Sequence, residues 1–221
     1  NSICILLAGS TGEKFCNSNK SIAFQNNVDF VSQILDLGFE KIIYTSTTSL
    51  YGTTELAASE NSEIKISSYY TETKFRAEEM LLNSKINCSV LRLSIVIGLS
   101  PNYKTDSLFD LLFSEFKKGN KPQIFDINSL RPYHNIFDTS KAIKTFADSS
   151  DLMGIYNIGN NQLNLSKREL VSQFKLHFKD LSYETIDKND NRSYLVDFSK
   201  YQRITNSYVS MFDTIKNLKS N

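Results

Sequence analysis

The sequence predicts an α/β fold with a mainly parallel sheet and a smaller C-terminal lobe. Strand-like apolar runs alternate with helical stripes of apolar residues through residues 1–100. Strands that alternate with helices favour parallel pairing, because each crossover returns the next strand in the same direction. A chain of 221 residues can bury one large core and a small appendage. The elements of residues 101–221 are more mixed, which indicates the smaller lobe.

The first part of the chain contains three predicted strands and two predicted helices. The strands are apolar or β-branched runs at residues 2–8, 41–46 and 88–97. The first helix is indicated by apolar residues at helical spacing, namely Val28, Val31, Ile34 and Leu35, and Gly38 is placed to end it. Residues 71–84 predict the second helix. We therefore expect residues 1–100 to form an α/β core with parallel strands.

The second part combines several helices with short strands. Leu108, Leu111, Leu112 and Phe116 form a helical stripe that Gly119 ends. Asp138 is expected to cap a helix that continues to Lys144, and residues 154–159 predict a strand. Ser166 and Glu169 match a capping box, and the tail from Asp197 predicts one amphipathic helix. These elements, in residues 101–221, are expected to form a smaller lobe of mixed α/β structure.

Composition excludes several classes of partner. The 25 basic and 24 acidic residues give a net charge of +1 without a basic stripe, so no nucleic-acid partner is expected. The longest apolar run, residues 90–99, is too short to span a membrane, and no signal peptide is visible. Three cysteines without C-x-x-C spacing predict neither disulfides nor a metal site. A cytoplasmic location is expected.

A strand ending in five consecutive hydroxyl residues is the first indication of a site. Residues 45–49 read Thr-Ser-Thr-Thr-Ser and follow the strand that begins at Lys41. In open α/β sheets the carboxyl ends of the strands face the crevice where ligands bind. The alternative is a Ser/Thr turn that satisfies its own backbone. The run alone does not distinguish the two.

Tyr70 and Lys74 are the second indication. Residues four apart share one face of a helix, so the lysine ammonium would favour the ionised phenol. Such a phenol can take a proton from a substrate hydroxyl while hydride leaves the same carbon. With 11 tyrosines in the chain, about one Tyr followed by Lys four residues later is expected by chance. The pair indicates a site because it follows the hydroxyl-ended strand, at the start of a predicted helix.

Five segments follow one another in a characteristic order. They are KIIYTSTTSLYG, YYTETKFRAEE, LRLSIVIG, RPYHNIFDTSKAI and GIYNIGNNQLNLSKREL. Together they resemble the NAD-dependent epimerase/dehydratase family, extended short-chain dehydrogenases that act on nucleotide-linked sugars. The resemblance implies a Rossmann-like sheet, NAD or NADP as cofactor and a nucleotide-sugar substrate. On this resemblance, residues 1–100 would form a partial Rossmann-like dinucleotide-binding core, and residues 101–221 would form a mixed substrate-binding lobe interleaved with that core. It also makes a homodimer possible, through the helix after Tyr70.

The same resemblance implies the roles of individual residues. Thr47 would orient the substrate hydroxyl, Tyr70 would be the acid/base and Lys74 would hold the nicotinamide ribose. Thr48 would contact the substrate. Arg131 would contact the nucleotide phosphates, for which a forked guanidinium is suited, or would form a surface ion pair instead.

The chain departs from the family pattern at its beginning. Gly9-Ser10-Thr11-Gly12 looks like the start of a phosphate-binding turn, but Phe15 occupies the place of the third glycine. Only 37 positions separate Ala8 from Thr45, too few for the three strands and crossovers that precede the hydroxyl-ended strand in the family. The strand before Gly9 therefore resembles the family's fourth strand, whose loop, with Ala8 and Gly9, would lie over the cofactor. On this reading the amino-terminal third of the fold, including its glycine-rich turn, is missing.

These observations leave two hypotheses of function. The first is an NAD(P)-dependent epimerase or reductase-type enzyme that acts on a nucleotide-linked sugar. Dehydration is disfavoured, because Thr48 and Ser49 stand where the dehydratase branch has Asp and Glu. The alternative is a catalytically inactive remnant of the family that serves as a binding or assembly module. His134, without a second ligand nearby in the sequence, is expected to be a packing or surface residue.

Overall fold

The structure, a computed structural model, describes residues 2–98, 100, 107–178, 180–190, 192–205 and 207–219. Its strands are β1 (Ile3–Leu6), β2 (Lys41–Thr47), β3 (Asn87–Leu93), β4 (Ile95–Ile97), β5 (Gln123–Phe125), β6 (Leu130–Asn135), β7 (Gly154–Ile158), β8 (Asn164–Ser166) and β9 (Glu184–Ile186). Its α-helices are α1 (Glu13–Ser18), α2 (Lys20–Phe24), α3 (Phe30–Leu35), α4 (Tyr69–Leu82), α5 (Leu108–Lys117), α6 (Ile136–Asp148), α7 (Lys167–His177), α8 (Ser199–Gln202) and α9 (Met211–Lys219).

The chain forms two compact units, and it passes between them more than once. The first unit consists of Asn1–Gly52, Ser59–Ser94 and Ser140–Ile158. The second consists of Thr53–Ala58, Ile95–Thr139 and Gly159–Asn221. The division into residues 1–100 and 101–221 as functional lobes stays a prediction.

The first unit is built on a parallel four-stranded sheet, as the alternation of strands and helices predicts. The strand order is β1-β2-β3-β7, and every neighbouring pair is parallel. Leu6 is opposite Tyr44, and Thr47 is opposite Leu93, so the carboxyl ends of β1, β2 and β3 share one edge. Helix α4 packs its Ala77 on Ile42 and Tyr44 in the core of this unit. The fold is therefore Rossmann-like and mainly parallel.

The second unit combines small sheets with a phenylalanine-rich core. In the sheet β4-β6-β8, β4 and β6 are parallel and β6 and β8 are antiparallel, while β5 pairs with β9. Phe109 and Phe174 are fully buried, and their ring centroids lie 5.2 Å apart. The apolar stripe that predicts α5 is thus a core face of this unit.

Three predicted elements differ from the structure. The single strand predicted at residues 88–97 is wrong, because β3 ends at Leu93 and β4 belongs to another sheet; the N–H of Ser94 turns to the carbonyl oxygen of Ile158 at 3.1 Å. The predicted helix around Val28 begins earlier and contains a π-helical turn, Gln25–Asp29. The tail forms two short helices, α8 and α9, instead of one.

The capping box predicted at Ser166 is confirmed. The Ser166 hydroxyl accepts a hydrogen bond from the Glu169 N–H, and the Glu169 carboxylate accepts one from the Ser166 N–H. Asp138, in contrast, lies inside the first turn of α6 and accepts a hydrogen bond from the Val209 N–H. Among the described residues, no helix is both long and apolar enough to cross a membrane.

Candidate active site

The hydroxyl run at the end of β2 makes one local hydrogen bond, as the turn interpretation predicts, and one to a neighbouring strand. The Thr47 Oγ1 accepts the Ser49 N–H at 3.2 Å and so begins a 3₁₀ turn, Thr48–Tyr51. The Thr48 Oγ1 donates to the carbonyl oxygen of Leu93 at 3.2 Å. Both threonines are buried. These bonds tie the predicted substrate-binding hydroxyls to the carboxyl edge of the sheet.

Lys74 lies at the same edge. Its side chain is buried, and its Nζ donates a 2.7 Å hydrogen bond to the carbonyl oxygen of Thr45. The same ammonium lies 4.1 Å from the ring centroid of Tyr44, a cation–π distance. An ammonium can donate three hydrogen bonds. Within the described part of the chain, the Lys74 ammonium donates one, to Thr45. Two N–H groups of Lys74 are therefore available to a ligand.

Burial controls the protonation of Lys74. Loss of hydration lowers its pKa from 10.5 to about 7, while the nearby carboxylate of Glu78 and the thiol of Cys16 act in the opposite direction. The amine therefore changes charge near neutral pH, which is where a group that assists proton transfer is most effective.

Tyr70 occupies the first turn of α4, one helical turn before Lys74. The helix begins at a capping box in which the Ser68 hydroxyl accepts the Thr71 N–H. Tyr70 is half-buried, and its carbonyl oxygen accepts a hydrogen bond from the Thr73 hydroxyl. The helix thus places Tyr70 and Lys74 on one face, as their spacing predicts.

Asn27 joins the turn after β1 to the helix that carries Lys74. Its Oδ1 accepts the Ser10 N–H at 2.7 Å, and its Nδ2 donates to the Ser10 carbonyl oxygen and to the Thr73 Oγ1. An added Cβ at Gly9 would lie 2.8 Å from this Oδ1, so the close approach requires glycine. The turn that contains the predicted cofactor residues Ala8 and Gly9 is therefore linked to α4 through the side chain of Asn27.

Sequence reasoning missed Asn27 and a buried ion pair between Glu78 and Arg92. A signal for Asn27 was present, because two consecutive asparagines, which are poor helix formers, stand directly before the helical stripe. They lie in a π-helical turn, a feature frequent at functional sites. Arg92 also carried a signal, since a charged residue interrupts an otherwise apolar strand.

Arg131 forms an ion pair in the second unit, but the pair is buried and not on the surface. Its Nη2 donates to Asp190 Oδ2 at 2.6 Å, and Lys167 Nζ lies 2.9 Å from the same oxygen. Burial would raise the pKa of Asp190, but Lys167, Arg131 and Arg192 together lower it to about 2. The predicted contact of Arg131 with nucleotide phosphates stays a prediction.

His134 is a packing residue, as expected. It is buried in β6, with its Nε2 2.6 Å from the Thr139 hydroxyl oxygen. Burial lowers its pKa to about 3, so the ring is neutral at physiological pH. Among the described residues, no group of three or more His, Cys, Asp or Glu side chains is arranged to hold a metal ion.

The fold and these residues define a class of protein: a Rossmann-like α/β chain with a Tyr–Lys pair at the carboxyl edge of its parallel sheet. The model of the NAD dependent epimerase/dehydratase family matches residues 2–159. The chain belongs to this family.

Solved structures show the same fold. UDP-N-acetylglucosamine 4-epimerase from Methanobrevibacter ruminantium M1, in complex with UDP-N-acetylmuramic acid, has a TM-score of 0.87 at 19% identity, over 100% of this chain and 77% of that one. UDP-glucuronic acid 4-epimerase from Bacillus cereus, with UDP-glucuronic acid and NAD, has a TM-score of 0.85 at 21% identity, over 99% and 76%. RMD from Pseudomonas aeruginosa, complexed with NADPH, has a TM-score of 0.88 at 18% identity, over 99% and 80%.

Proposed function

We propose that this chain carries the catalytic pair of an NAD(P)-dependent epimerase or reductase-type enzyme that acts on a nucleotide-linked sugar. Its family and the nucleotide-sugar and cofactor complexes of its structural neighbours support the class of reaction. The observation that carries the proposal is the buried Lys74 ammonium. It has one acceptor among the described residues, at the end of β2, and lies one helical turn from Tyr70.

The residues at the carboxyl edge fit a nicotinamide nucleotide. The two remaining N–H donors of Lys74 suit the ribose hydroxyls, and Ala8 and Gly9 leave room for a close approach, since neither has a large side chain. When bound, the nicotinamide would supply the hydride acceptor. Asn27 would keep the turn after β1 at a fixed distance from Lys74, because it bonds both Ser10 and Thr73.

Proton transfer is assigned to Tyr70. Its ionised phenolate would take the proton of the substrate hydroxyl as hydride leaves the same carbon, and the resulting phenol would return it when hydride is delivered to the other face. Thr47 would orient that hydroxyl. Thr48 and Ser49 offer no carboxyl group for the elimination of water, which favours epimerisation or reduction over dehydration.

Substrate recognition is assigned to Thr48 and Arg131. Arg131 keeps its guanidinium on Asp190, so a diphosphate would have to share or displace that partner. A bidentate fork can pair two oxygens at once, which suits either arrangement.

The test is an epimerisation assay of the chain with NAD or NADP and a panel of UDP-N-acetylglucosamine, UDP-glucuronic acid and UDP-glucose. Products are identified by proton NMR. We expect turnover of at least one sugar nucleotide, with a decrease of about 10²–10⁴-fold in Tyr70→Phe. Tyr69→Phe is the matched control, because it removes the neighbouring phenol and should retain the rate. Equal rates in the two variants would contradict the role of Tyr70, and no turnover of any substrate would favour the non-catalytic binding or assembly module.

A further inference from the structure

A buried polar network connects four elements of the first unit. Arg92, on β3, donates from Nε to both carboxylate oxygens of Glu78, on α4, at 3.1 and 3.2 Å, and from Nη2 to Oε2 at 2.6 Å. Its Nη1 donates to the Tyr51 hydroxyl at 3.0 Å. That hydroxyl donates to Asn157 Oδ1, on β7, at 2.6 Å. The arginine therefore holds a helix, a strand and the turn after β2 at once.

The network ends on both halves of the candidate active site. Glu78 follows Lys74 by one helical turn, and Lys74 follows Tyr70 by one turn, so the three share a face of α4. Tyr51 closes the 3₁₀ turn that begins directly after Thr47. Arg92 thus joins the helix of the Tyr–Lys pair to the turn of the substrate-orienting threonine.

A contribution to stability does not by itself explain the buried Arg92–Glu78 ion pair. The side chains of Arg92 and Glu78 are 3% and 1% exposed, so both charges have lost nearly all their hydration. Well-packed apolar residues often replace a buried ion pair without loss of stability, whereas fixing the register of neighbouring elements is the best-attested use of such pairs.

We propose that Glu78, Arg92 and Tyr51 form a positioning unit that fixes the Tyr70–Lys74 face of α4 relative to the turn after Thr47. This inference rests on the proposed function, since it assigns what sets the geometry of that same site. The three residues are positioning residues and touch neither substrate nor cofactor in this account.

The positioning unit also acts on the charge of Lys74. The titratable groups around that amine are Glu78 on its own helix, Cys16 on α1 and Tyr44 on β2, and Tyr70 of α4 acts on Tyr44. Of these, the Glu78 carboxylate favours the ammonium form and raises its pKa against the effect of burial. If α4 moves or Glu78 loses its charge, the Lys74 pKa must change.

The test is an NMR titration of the Lys74 side chain in the full chain labelled with [¹³C,¹⁵N]-lysine, with the signal assigned by its absence in Lys74→Met. Glu78→Gln should lower the Lys74 pKa, because it removes the carboxylate that favours the ammonium form. The matched control is Glu72→Gln, which removes a carboxylate of the same helix from an exposed ion pair with Arg76 and should leave the titration unchanged. An unchanged Lys74 pKa in Glu78→Gln would overturn the inference.

Tyr51→Phe is the second variant, because it removes one hydroxyl and leaves every charge in place. We expect a loss of about tenfold in kcat with KM retained, since a small displacement of a catalytic group slows chemistry more than binding. A wild-type kcat in this variant would also overturn the inference. The NMR titration of Lys74 does not require turnover. An inactive wild-type chain would therefore refute the proposed function, and the Lys74 pKa in Glu78→Gln would still test the positioning of Lys74.

Discussion

The Lys74 ammonium donates a 2.7 Å hydrogen bond to the carbonyl oxygen of Thr45. This bond joins the middle of α4 to the end of β2, two residues before Thr47. It also places the amine over the Tyr44 ring, away from water. One lysine therefore reports on both the geometry and the electrostatics of the candidate active site.

The first prediction concerns the pH dependence of stability that Lys74 imposes. The folded amine releases its proton near pH 7, and the unfolded amine near its ordinary 10.5. Between these values the unfolded state binds more protons, so the free energy of unfolding should rise with pH, by at most about 1.4 kcal/mol per unit. Urea unfolding of wild type and Lys74→Met from pH 7 to 10 measures the difference. Lys85→Met, at an exposed lysine, is the control and should show the wild-type rise of unfolding free energy with pH. The same rise in Lys74→Met would contradict the prediction.

The second prediction concerns Asn27. Asn27→Ala leaves the N–H and carbonyl of Ser10 without their partner and removes the bond that the Thr73 Oγ1 accepts, although the Thr73 hydroxyl still donates to the Tyr70 carbonyl. The free energy of unfolding should fall by about 3 kcal/mol. Asn26→Ala is the control, since this exposed neighbour makes one bond, to the Ser10 hydroxyl, and should cost about 0.5 kcal/mol. Chemical denaturation measures both, and similar losses would show that Asn27 does not hold the turn.

The third prediction concerns Asp190, which neutralises Arg131 and Lys167. Asp190→Asn leaves two buried cations without a carboxylate and should destabilise the chain by about 3 kcal/mol. The exposed Asp187→Asn should have little effect on the same urea transition. If Asp190→Asn proves as stable as wild type, the cluster is not a buried charge network.

The fourth prediction concerns acid sensitivity. His134 has a pKa of about 3 when folded and about 6.5 when unfolded. Its folded pKa is depressed, so its stabilising contribution is present above pH 6.5 and is lost progressively as the pH falls towards 3. His134→Gln should flatten the decline in unfolding free energy between pH 6.5 and 4.5, whereas His177→Gln, in which His134 is intact, should retain it. An equal decline in wild type and His134→Gln would refute the assignment.

Much of the fold around the site follows from local sequence. The β-branched run at Lys41 and the helical spacing after Tyr70 identify β2 and α4, because both elements are specified by which side chains face the core. Ser166 and Glu169 likewise signal the start of α7 through a purely local exchange of hydrogen bonds. The predicted positions of Thr47, Tyr70 and Lys74 on these elements depend on such local rules.

The remainder depends on contacts between distant residues. The apolar run around Ser94 reads as one strand, and only its pairing with two different sheets shows where it breaks. Asn27 bonds Thr73, and Arg92 bonds Tyr51, across separations that no periodicity encodes. Polar residues in apolar stretches mark such positions, but they do not identify the partner.

The most direct test of the proposed nicotinamide site is a fluorescence titration of the chain with NADH and NADPH. We expect saturable binding at micromolar cofactor that is lost in Lys74→Met and retained in Lys85→Met. Absence of binding at millimolar concentrations of both cofactors, or equal binding by Lys74→Met, would contradict the assignment of Lys74 to a nicotinamide site.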